Sequence, residues 1–376
     1  MTRPASDVLI IGGGLHGLSA ALHLARSGAR VTLLEAEFVG RHASGASAAG
    51  VRTLNRDRRE MPLSVISMRL WHQIAELVGD DCGFHAHGQL RVTETDAQTA
   101  AEAARIDALH RDGYDNERLI DQAELRALVP GINPKFIAAA YAAGDGAADP
   151  HRTLVAFRAA AQAAGVTIHE GRPVTALTPQ AGHWRVTAGD QTLTTGTVIN
   201  AAGAWGARIA ALAGQTIPLS AKASMMMVTE RIAPIIRPVV AVVGRSLSFK
   251  QSSQGTLVLG GGIQGRYDLD SGQTFLDFHA LARGAAAACE LMPAVKGARI
   301  TRCWSGIEGK TRDLLPVIGP ARDAPGLYHL FGFSGHGFQL VPAVGAAVAG
   351  MVLGGQIPDS LRPFAAERLM EQEAAA

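Results

Sequence analysis

The chain has 376 residues, of which 47% are apolar and 18% charged, with a formal net charge of +2. A chain of this length buries a sizeable core, usually divided between two domains, and the composition excludes a disordered protein. So small a charge, with no basic stripe interleaved with aromatics, excludes a nucleic-acid footprint.

The opening segment MTRPASDVLIIGGG runs straight into a strand, with no signal-peptide core or cleavage site. Cys82, Cys289 and Cys303 show no metal or redox spacing. No metal site is expected, and the location expected is cytoplasmic, with any contact to the inner membrane face made through partners.

DVLII (7–11) reads as a buried strand. GGGLHG follows, then a helix from Leu15 to Arg26, a stop at Gly28 and a strand from Ala29 to Glu35. This is a βαβ unit whose strands should pair in parallel. The stretch RHASGASAAG (41–50) is too small and polar for a core and reads as a loop that something approaches closely. A helix is expected over Pro62 to Val78, a strand over 88–94, a helix over 98–112, and turns with a short helix over 115–135. The helix over 149–165 has a cap at Asp149, Pro150 at its first position and a stop at Gly165. VTIHEG, PVTALTP, WRVTAG and TVINAAG are short strands. Met225–Val228, Val239–Val243, SLSFKQ and TLVLGG form a second set. A helix from Gln273 to Leu291, the strand ARITRCWSG and a last helix follow, before a frayed EQEAAA tail.

The apolar stretch Phe331 to Leu353 is the best candidate for a membrane span, which needs about 20 apolar residues. His336, Gln339 and Pro342 interrupt it and Gly354-Gly355 ends it, so no transmembrane segment is expected. Proline is tolerated only in a helix's first turn, which starts this helix between Gly337 and Pro342.

Gly12, Gly14 and Gly17 fit G-x-G-x-x-G between two strands, with Glu35 at the end of the second. Gly12 allows the turn, Gly14 the approach of a pyrophosphate, and Gly17 close packing of helix on strand. The helix N-terminus offers N–H groups to phosphates, and Glu35 suits both ribose hydroxyls, which disfavours a 2′-phosphate. No second mononucleotide half follows, and the distant strand VINAAGAW (198–205) ends in small residues that could close over the same crevice. Both features favour FAD over NAD.

The N-terminal βαβ unit, RHASGASAAGVR, VINAAGAW, WSGIEGKTRDLLPVIGP and GFSGHGFQLVPAVG together resemble the D-amino-acid oxidase / sarcosine oxidase family of FAD enzymes, over essentially the whole chain. Within it they are most like the β subunits of D-hydroxyproline dehydrogenase and hydrogen cyanide synthase complexes. The order of elements along the chain suggests an α/β fold in which a Rossmann-like FAD domain (1–80, 146–213, 306–376) is interleaved with an α+β, mixed-sheet substrate domain (81–145, 214–305). The resemblance implies oxidation of the C–N bond of a small amino or imino acid (D-hydroxyproline or proline-like, glycine or sarcosine-like) to an imine by hydride transfer. FAD contacts are carried over to Gly12, Gly14, Leu15, His16, Gly17, Glu35 and Ala36, then to Arg41, His42, Ala46, Ser47, Ala49, Gly50 and Val51. Further contacts fall at Val174, Ala202, Gly203, Trp205, Gly306, Gly335, His336, Gly337, Phe338 and Gln339. The last helix would point its positive end at the flavin pyrimidine edge.

Arg52 follows the flavin-side loop, and a guanidinium suits bidentate carboxylate capture; as a plain structural arginine it would do nothing there. His336 would hydrogen-bond flavin or substrate, or serve only the fold, and Lys250, Glu308 and Gln339 are the remaining catalytic-site candidates. Met225 to Met227 read as sheet core or as an adaptable wall. Several positions depart from the family pattern. The cysteine that tethers FAD in monomeric sarcosine oxidases falls at Gly306, with Cys303 out of place, so FAD should be non-covalent. The oxygen-assisting lysine falls at Val258, the carboxylate-binding Arg and Lys fall at Asn55 and Gln339, and the arginine of glycine and D-amino-acid oxidases falls at Glu308. A dehydrogenase that passes electrons to partner subunits or another acceptor is therefore expected. The rival readings are a self-sufficient peroxide-forming oxidase, a flavin-binding protein without turnover, and a nicotinamide enzyme.

Overall fold

The structure is a computed structural model that describes residues 6–374. Met1–Ala5 of the opening segment and Ala375–Ala376 of the expected tail lie outside the described residues.

β1 (Ser6–Ile11), α1 (Leu15–Arg26) and β2 (Val31–Leu34) follow in order, and the two strands pair in parallel. Val8 to Ile11 are buried, as a central parallel strand requires. β3 (Gly50–Val51) ends the small-residue loop. The helix expected over 62–78 is two helices, α2 (Met61–His72) and α3 (Ile74–Val78), broken at the non-helical Gln73. Buried Trp71, Ile74 and Val78 keep helical spacing across the break, so the apolar pattern does not reveal it.

β4 (Gln89–Thr93), α4 (Asp96–Arg111), β5 (Arg118–Asp121), α5 (Gln122–Leu128) and β6 (Ala138–Ala142) come next. The segment 115–135 thus holds a strand that was not expected, and Asp121 both ends it and caps α5 by accepting from Glu124 N–H. β7 (Gly146–Ala147) pairs with β3. α6 (Pro150–Ala163) starts where the sequence places it, with the Asp149 carboxylate accepting from His151 and Arg152 N–H at 2.8 and 2.9 Å.

β8 (Thr167–His169), β9 (Val174–Gln180), β10 (His183–Ala188) and β11 (Gln191–Asn200) lead to α7 (Gly206–Ala211). β12 (Ser220–Arg231), β13 (Val239–Val242), β14 (Ser248–Gln251) and β15 (Thr256–Gly260) follow. β16 (Arg266–Asp268) and β17 (Gln273–Phe275) form a hairpin, so the helix expected from Gln273 begins later, as α8 (Phe278–Leu291). Asp277 sets that start by accepting from Ala280 N–H at 2.9 Å. β18 (Ile300–Lys310), β19 (Val317–Pro320), β20 (Leu327–Phe331), α9 (Val341–Gly354) and α10 (Glu367–Ala374) complete the chain. α10 carries helix into the segment expected to fray.

The strands form two large mixed sheets. The first has the order β19-β20-β11-β1-β2-β8, with β10 and β9 added in antiparallel fashion beyond β11. The second has the order β18-β12-β15-β14-β13-β4-β6-β5 and is antiparallel except at β13/β4. The chain crosses between the sheets repeatedly, giving an α/β fold in which a sheet with a parallel centre, β20-β11-β1-β2-β8, is interleaved with a largely antiparallel one. β18 runs through the expected junction at 305/306. α1 packs against α9 so closely that a Cβ on Gly345 would lie 2.1 Å from Ser19 Oγ, and Ser19 donates to Val341 O at 2.9 Å. Two elements far apart in sequence therefore share one wall. No single helix among the described residues is long and apolar enough to cross a membrane.

Candidate functional site

The glycine turn between β1 and α1 is closed by backbone contact. A Cβ on Gly12, whose φ is +111°, would stand 2.4 Å from Ala201 O, and one on Gly17 would stand 2.1 Å from Gly12 O. Glycine is demanded at both places by packing alone. Glu35 accepts Gly13 N–H at 2.7 Å and Glu37 N–H at 3.0 Å. Burial raises its pKa, and its remaining lone pairs are free for hydroxyl donors. The first turn of α1 holds no acidic side chain, which leaves its positive end open to an anion.

The loop 41–50 lies across this turn. Ser44 Oγ accepts Leu15 N–H at 3.0 Å, and Trp304 Nε1 on β18 donates to Ala46 O at 3.1 Å. A Cβ on Gly306 would meet Ala46 Cβ at 2.4 Å. Position 306 thus has no room for a thiol, in keeping with a non-covalent cofactor.

Loop, turn, β12, β18 and the segment before α9 enclose a cavity of about 740 Å³. Gly14, Leu15, His16, Gly17, Ala46, Ser47, Ala49, Gly50, Gly203, Gly306, Gly335, His336, Gly337 and Phe338 line it. Its volume falls in the range of small-molecule sites. His16 stacks on Phe333 with ring centroids 3.6 Å apart, and its Nε2 meets Gly337 O at 3.1 Å. Burial draws the His16 pKa down to about 3, so its ring is neutral, and its buried Nδ1 has no partner among the described residues. An orphaned buried acceptor beside a glycine-lined trough fits a ligand rich in hydroxyl groups, as a ribityl–pyrophosphate chain is.

Gly12, Glu35, Ala36, Arg41, His42, Val51, Val174, Ala202, Trp205 and Gln339 are not on the cavity wall. Glu35 reaches the turn only through its contact with Gly13 N–H. Arg41 Nε lies 3.1 Å from Glu37, and His42 leans on Trp205 at 4.6 Å between centroids. Half-buried Val174 packs on the same cluster as Ala202, on the β9 side of the first sheet.

Two expected catalytic side chains do not reach the cavity. Gln339 is fully buried: its amide donates to Ser64 O at 2.8 Å and accepts from Arg56 and Ser64, while its main-chain carbonyl takes Ser67 Oγ and Trp71 Nε1. It pins the start of α9 onto α2, a fold role. Lys250 on β14 is buried and gives its ammonium to Ala148 O at 3.3 Å. Pro342 stands in the first turn of α9, where the sequence argument requires it.

Arg52, His336 and Glu308 do line the cavity. Arg52 donates to the carbonyls of Leu54 and Asn55 and has no ion-pair partner among the described residues. Burial lowers its pKa, but it stays cationic. The bend that carries it is fixed by Asp145, which accepts Thr53 N–H, Thr53 Oγ1–H and Leu54 N–H at 2.8–2.9 Å.

The sequence reading missed Arg56, Glu60, Lys222 and Ser224. Arg56 is buried and donates to the His336 carbonyl at 2.8 Å, with Glu60 3.6 Å away. His336 Nε2 meets Leu314 O at 3.0 Å, and burial lowers its pKa although Glu60 opposes this. Lys222 and Ser224 alternate with Met225 and Met227 along β12: the first pair faces the cavity, and the two methionines enter the core of the second sheet. The signal for Lys222 was strand period, which puts it on the same face as the wall serine two residues on. Met226 lines the cavity.

Comparison with known proteins covers this whole architecture. The family described as DAO, FAD dependent oxidoreductase, matches residues 7–351. An opine oxidase subunit of Agrobacterium tumefaciens (strain Ach5) is 27% identical over 98% of this chain and 99% of its own. The sarcosine oxidase beta subunit of Arthrobacter sp is 28% identical, covering 97% of this chain and 91% of that protein. Among solved structures, L-proline dehydrogenase from P. horikoshii superposes with a TM-score of 0.90 at 27% identity, covering 99% of both chains.

Proposed function

Because the chain belongs to the DAO family of FAD-dependent oxidoreductases and FAD is its cofactor, we propose that it oxidises the C–N bond of a small amino or imino acid to an imine. Bound FAD supplies the acceptor for a hydride from the substrate carbon. The protein's own task is to hold that carbon at the flavin and to exclude water. The observation that carries this reading is Arg52: a half-buried guanidinium on the cavity wall with no carboxylate in ion-pair contact among the described residues. A substrate carboxylate supplies the missing partner through charge-assisted, bidentate hydrogen bonds. The candidate substrates are proline-like, D-hydroxyproline-like, glycine-like and sarcosine-like acids.

We assign the FAD-binding site to the glycine turn, Glu35, the loop 41–50 and the segment 335–338, and take residues 1–80, 146–213 and 306–376 as the domain that holds them. Residues 81–145 and 214–305 form the substrate domain. The protein acts in the cytoplasm as the dehydrogenase component of a complex and hands electrons to a partner. Support comes from relatives named as oxidase subunits and from Val258 on β15, the position to which the family resemblance assigns the oxygen-assisting lysine of monomeric sarcosine oxidases.

Anaerobic mixing with glycine, sarcosine, D- and L-proline and D-hydroxyproline tests the reading. At least one should bleach the flavin absorbance, and re-admitted oxygen should restore it slowly. A flavin that no amino or imino acid bleaches leaves only the role of a non-catalytic flavin carrier. Peroxide formed stoichiometrically by the isolated chain makes it an oxidase.

A further inference from the structure

The cations on the cavity wall are paired with one exception. Arg91 is held by Glu102, Arg245 by Glu94 at 2.6 Å, Arg56 by Glu60 at 3.6 Å and Lys222 by Glu308 at 3.3 Å. Arg52 is the cation left over. Glu308 is the only carboxylate on the wall among the described residues, and its two oxygens are used unequally. Oε1 receives both Lys222 Nζ and the Ser224 hydroxyl. Oε2 accepts from no group among the described residues.

The backbone builds this asymmetry. β12 and β18 pair antiparallel with Lys222 opposite Glu308, so the two side chains rise side by side from one face of the sheet. Lys222 is anchored a second time, on Ser334 O at 3.0 Å, which fixes the side of Glu308 it can reach. Gly335 keeps the other side open: a Cβ there would lie 3.2 Å from Oε2 and 2.6 Å from Lys222 Nζ. A carboxylate oxygen held at a cavity and left unsatisfied costs free energy that a ligand N–H recovers.

We propose that Glu308 Oε2 anchors the amine nitrogen of the substrate while Arg52 holds its carboxylate, so that the unpaired guanidinium and the free carboxylate oxygen of the wall fix the direction in which an amino acid lies. Lys222 and Ser224 are positioning residues that turn Oε2 toward the ligand. This rests on the amino-acid reading above and adds the residue that selects for nitrogen. A carboxylate whose amine is replaced by an ether meets Arg52 but leaves Oε2 unpaired.

The test uses FAD-loaded protein and two probes. One is whichever of glycine, sarcosine, D-proline and L-proline bleaches the wild-type flavin fastest. The other is tetrahydro-2-furoate, a carboxylate with a ring oxygen in place of the N–H, followed by its perturbation of the oxidised flavin spectrum. Glu308→Gln keeps shape and removes charge, and the pair Glu308→Gln with Lys222→Met avoids stranding the lysine. Both should keep their FAD, raise KM for the amino acid about 10- to 100-fold, and leave the Kd for tetrahydro-2-furoate unchanged. KM and Kd rising together, or neither moving, overturns the anchor. A wild-type protein blind to tetrahydro-2-furoate overturns it as well, because Arg52 then holds no carboxylate alone. If no amino acid bleaches the wild-type flavin, the amino-acid reading fails first and takes the anchor with it; bleaching with an unmoved KM in both variants sinks the anchor alone.

Discussion

Two glycine turns meet at the cofactor cavity, and they are tight for different reasons. At the N-terminal turn, the atoms that a side chain would strike are main-chain atoms, Ala201 O and Gly12 O. At the turn before α9, Gly335 is crowded by the tips of Lys222 and Glu308. A main-chain carbonyl just past the end of a parallel strand cannot retreat without disturbing that strand, whereas a lysine ammonium can swing away. The first turn is therefore a requirement of the fold, and the second is a requirement of the site. Gly17→Ala should cost about 3 kcal/mol, the upper end for overpacking, and yield protein that melts early and purifies without flavin. Gly335→Ala, at φ +93°, should cost about 1–2 kcal/mol for its left-handed backbone, hold FAD more fully than Gly17→Ala and change the kinetics as well. Thermal melts and flavin content of both variants decide the matter. If Gly335→Ala loses its flavin as fully as Gly17→Ala, the distinction between a fold turn and a site turn is wrong.

The next largest effect separates the two halves of the cavity by function. Arg52 leaves the loop end of the cavity, next to the flavin-side segment 43–50, but makes no contact that the fold depends on beyond the carbonyls of Leu54 and Asn55. Arg52→Met should raise KM about 10- to 100-fold, the worth of a charge-assisted hydrogen bond, while FAD content and melting temperature hold. Unchanged steady-state kinetics would remove Arg52 from the substrate site.

The same division marks what the sequence disclosed. The βαβ unit was legible because its logic is local: β1, the glycines, α1 and Glu35 lie within one short stretch with fixed spacing. The start of α9 was legible because Pro342 tolerates only one place in a helix. What failed was side-chain direction. Gln339 sits within the last motif and Lys250 on a strand expected near the pocket, yet Gln339 turns into α2 and Lys250 turns toward Ala148. Chain proximity to a motif carries no information on which face a residue takes. Lys222 went unseen for the complementary reason: its importance lies in a distant cross-strand partner, Glu308, and register is set by the fold. β6, an alanine run with one tyrosine, and β17, which begins the stretch read as helix, escaped because neither has a strand's alternation of apolar and polar residues.

Lys250 gives the smallest expected effect and the sharpest check on that lesson. Burial pulls its pKa from 10.5 down to about 8, with Asp149 pulling weakly the other way. Its folded value thus lies below its unfolded one. Between those values the unfolded chain binds more protons than the folded one, so stability should rise with pH from about 8 to about 10.5 and be flat in this group's contribution below that window. Lys250→Met removes a buried charge but leaves Ala148 O short of a donor, and the two changes nearly offset at neutral pH. The variant should therefore keep kcat, KM and FAD while losing the alkaline rise in stability, as denaturant melts at several pH values would record. If turnover falls instead, the side chain reaches the substrate in the working enzyme, and the division between a buried fold lysine on β14 and a cavity lysine on β12 does not hold.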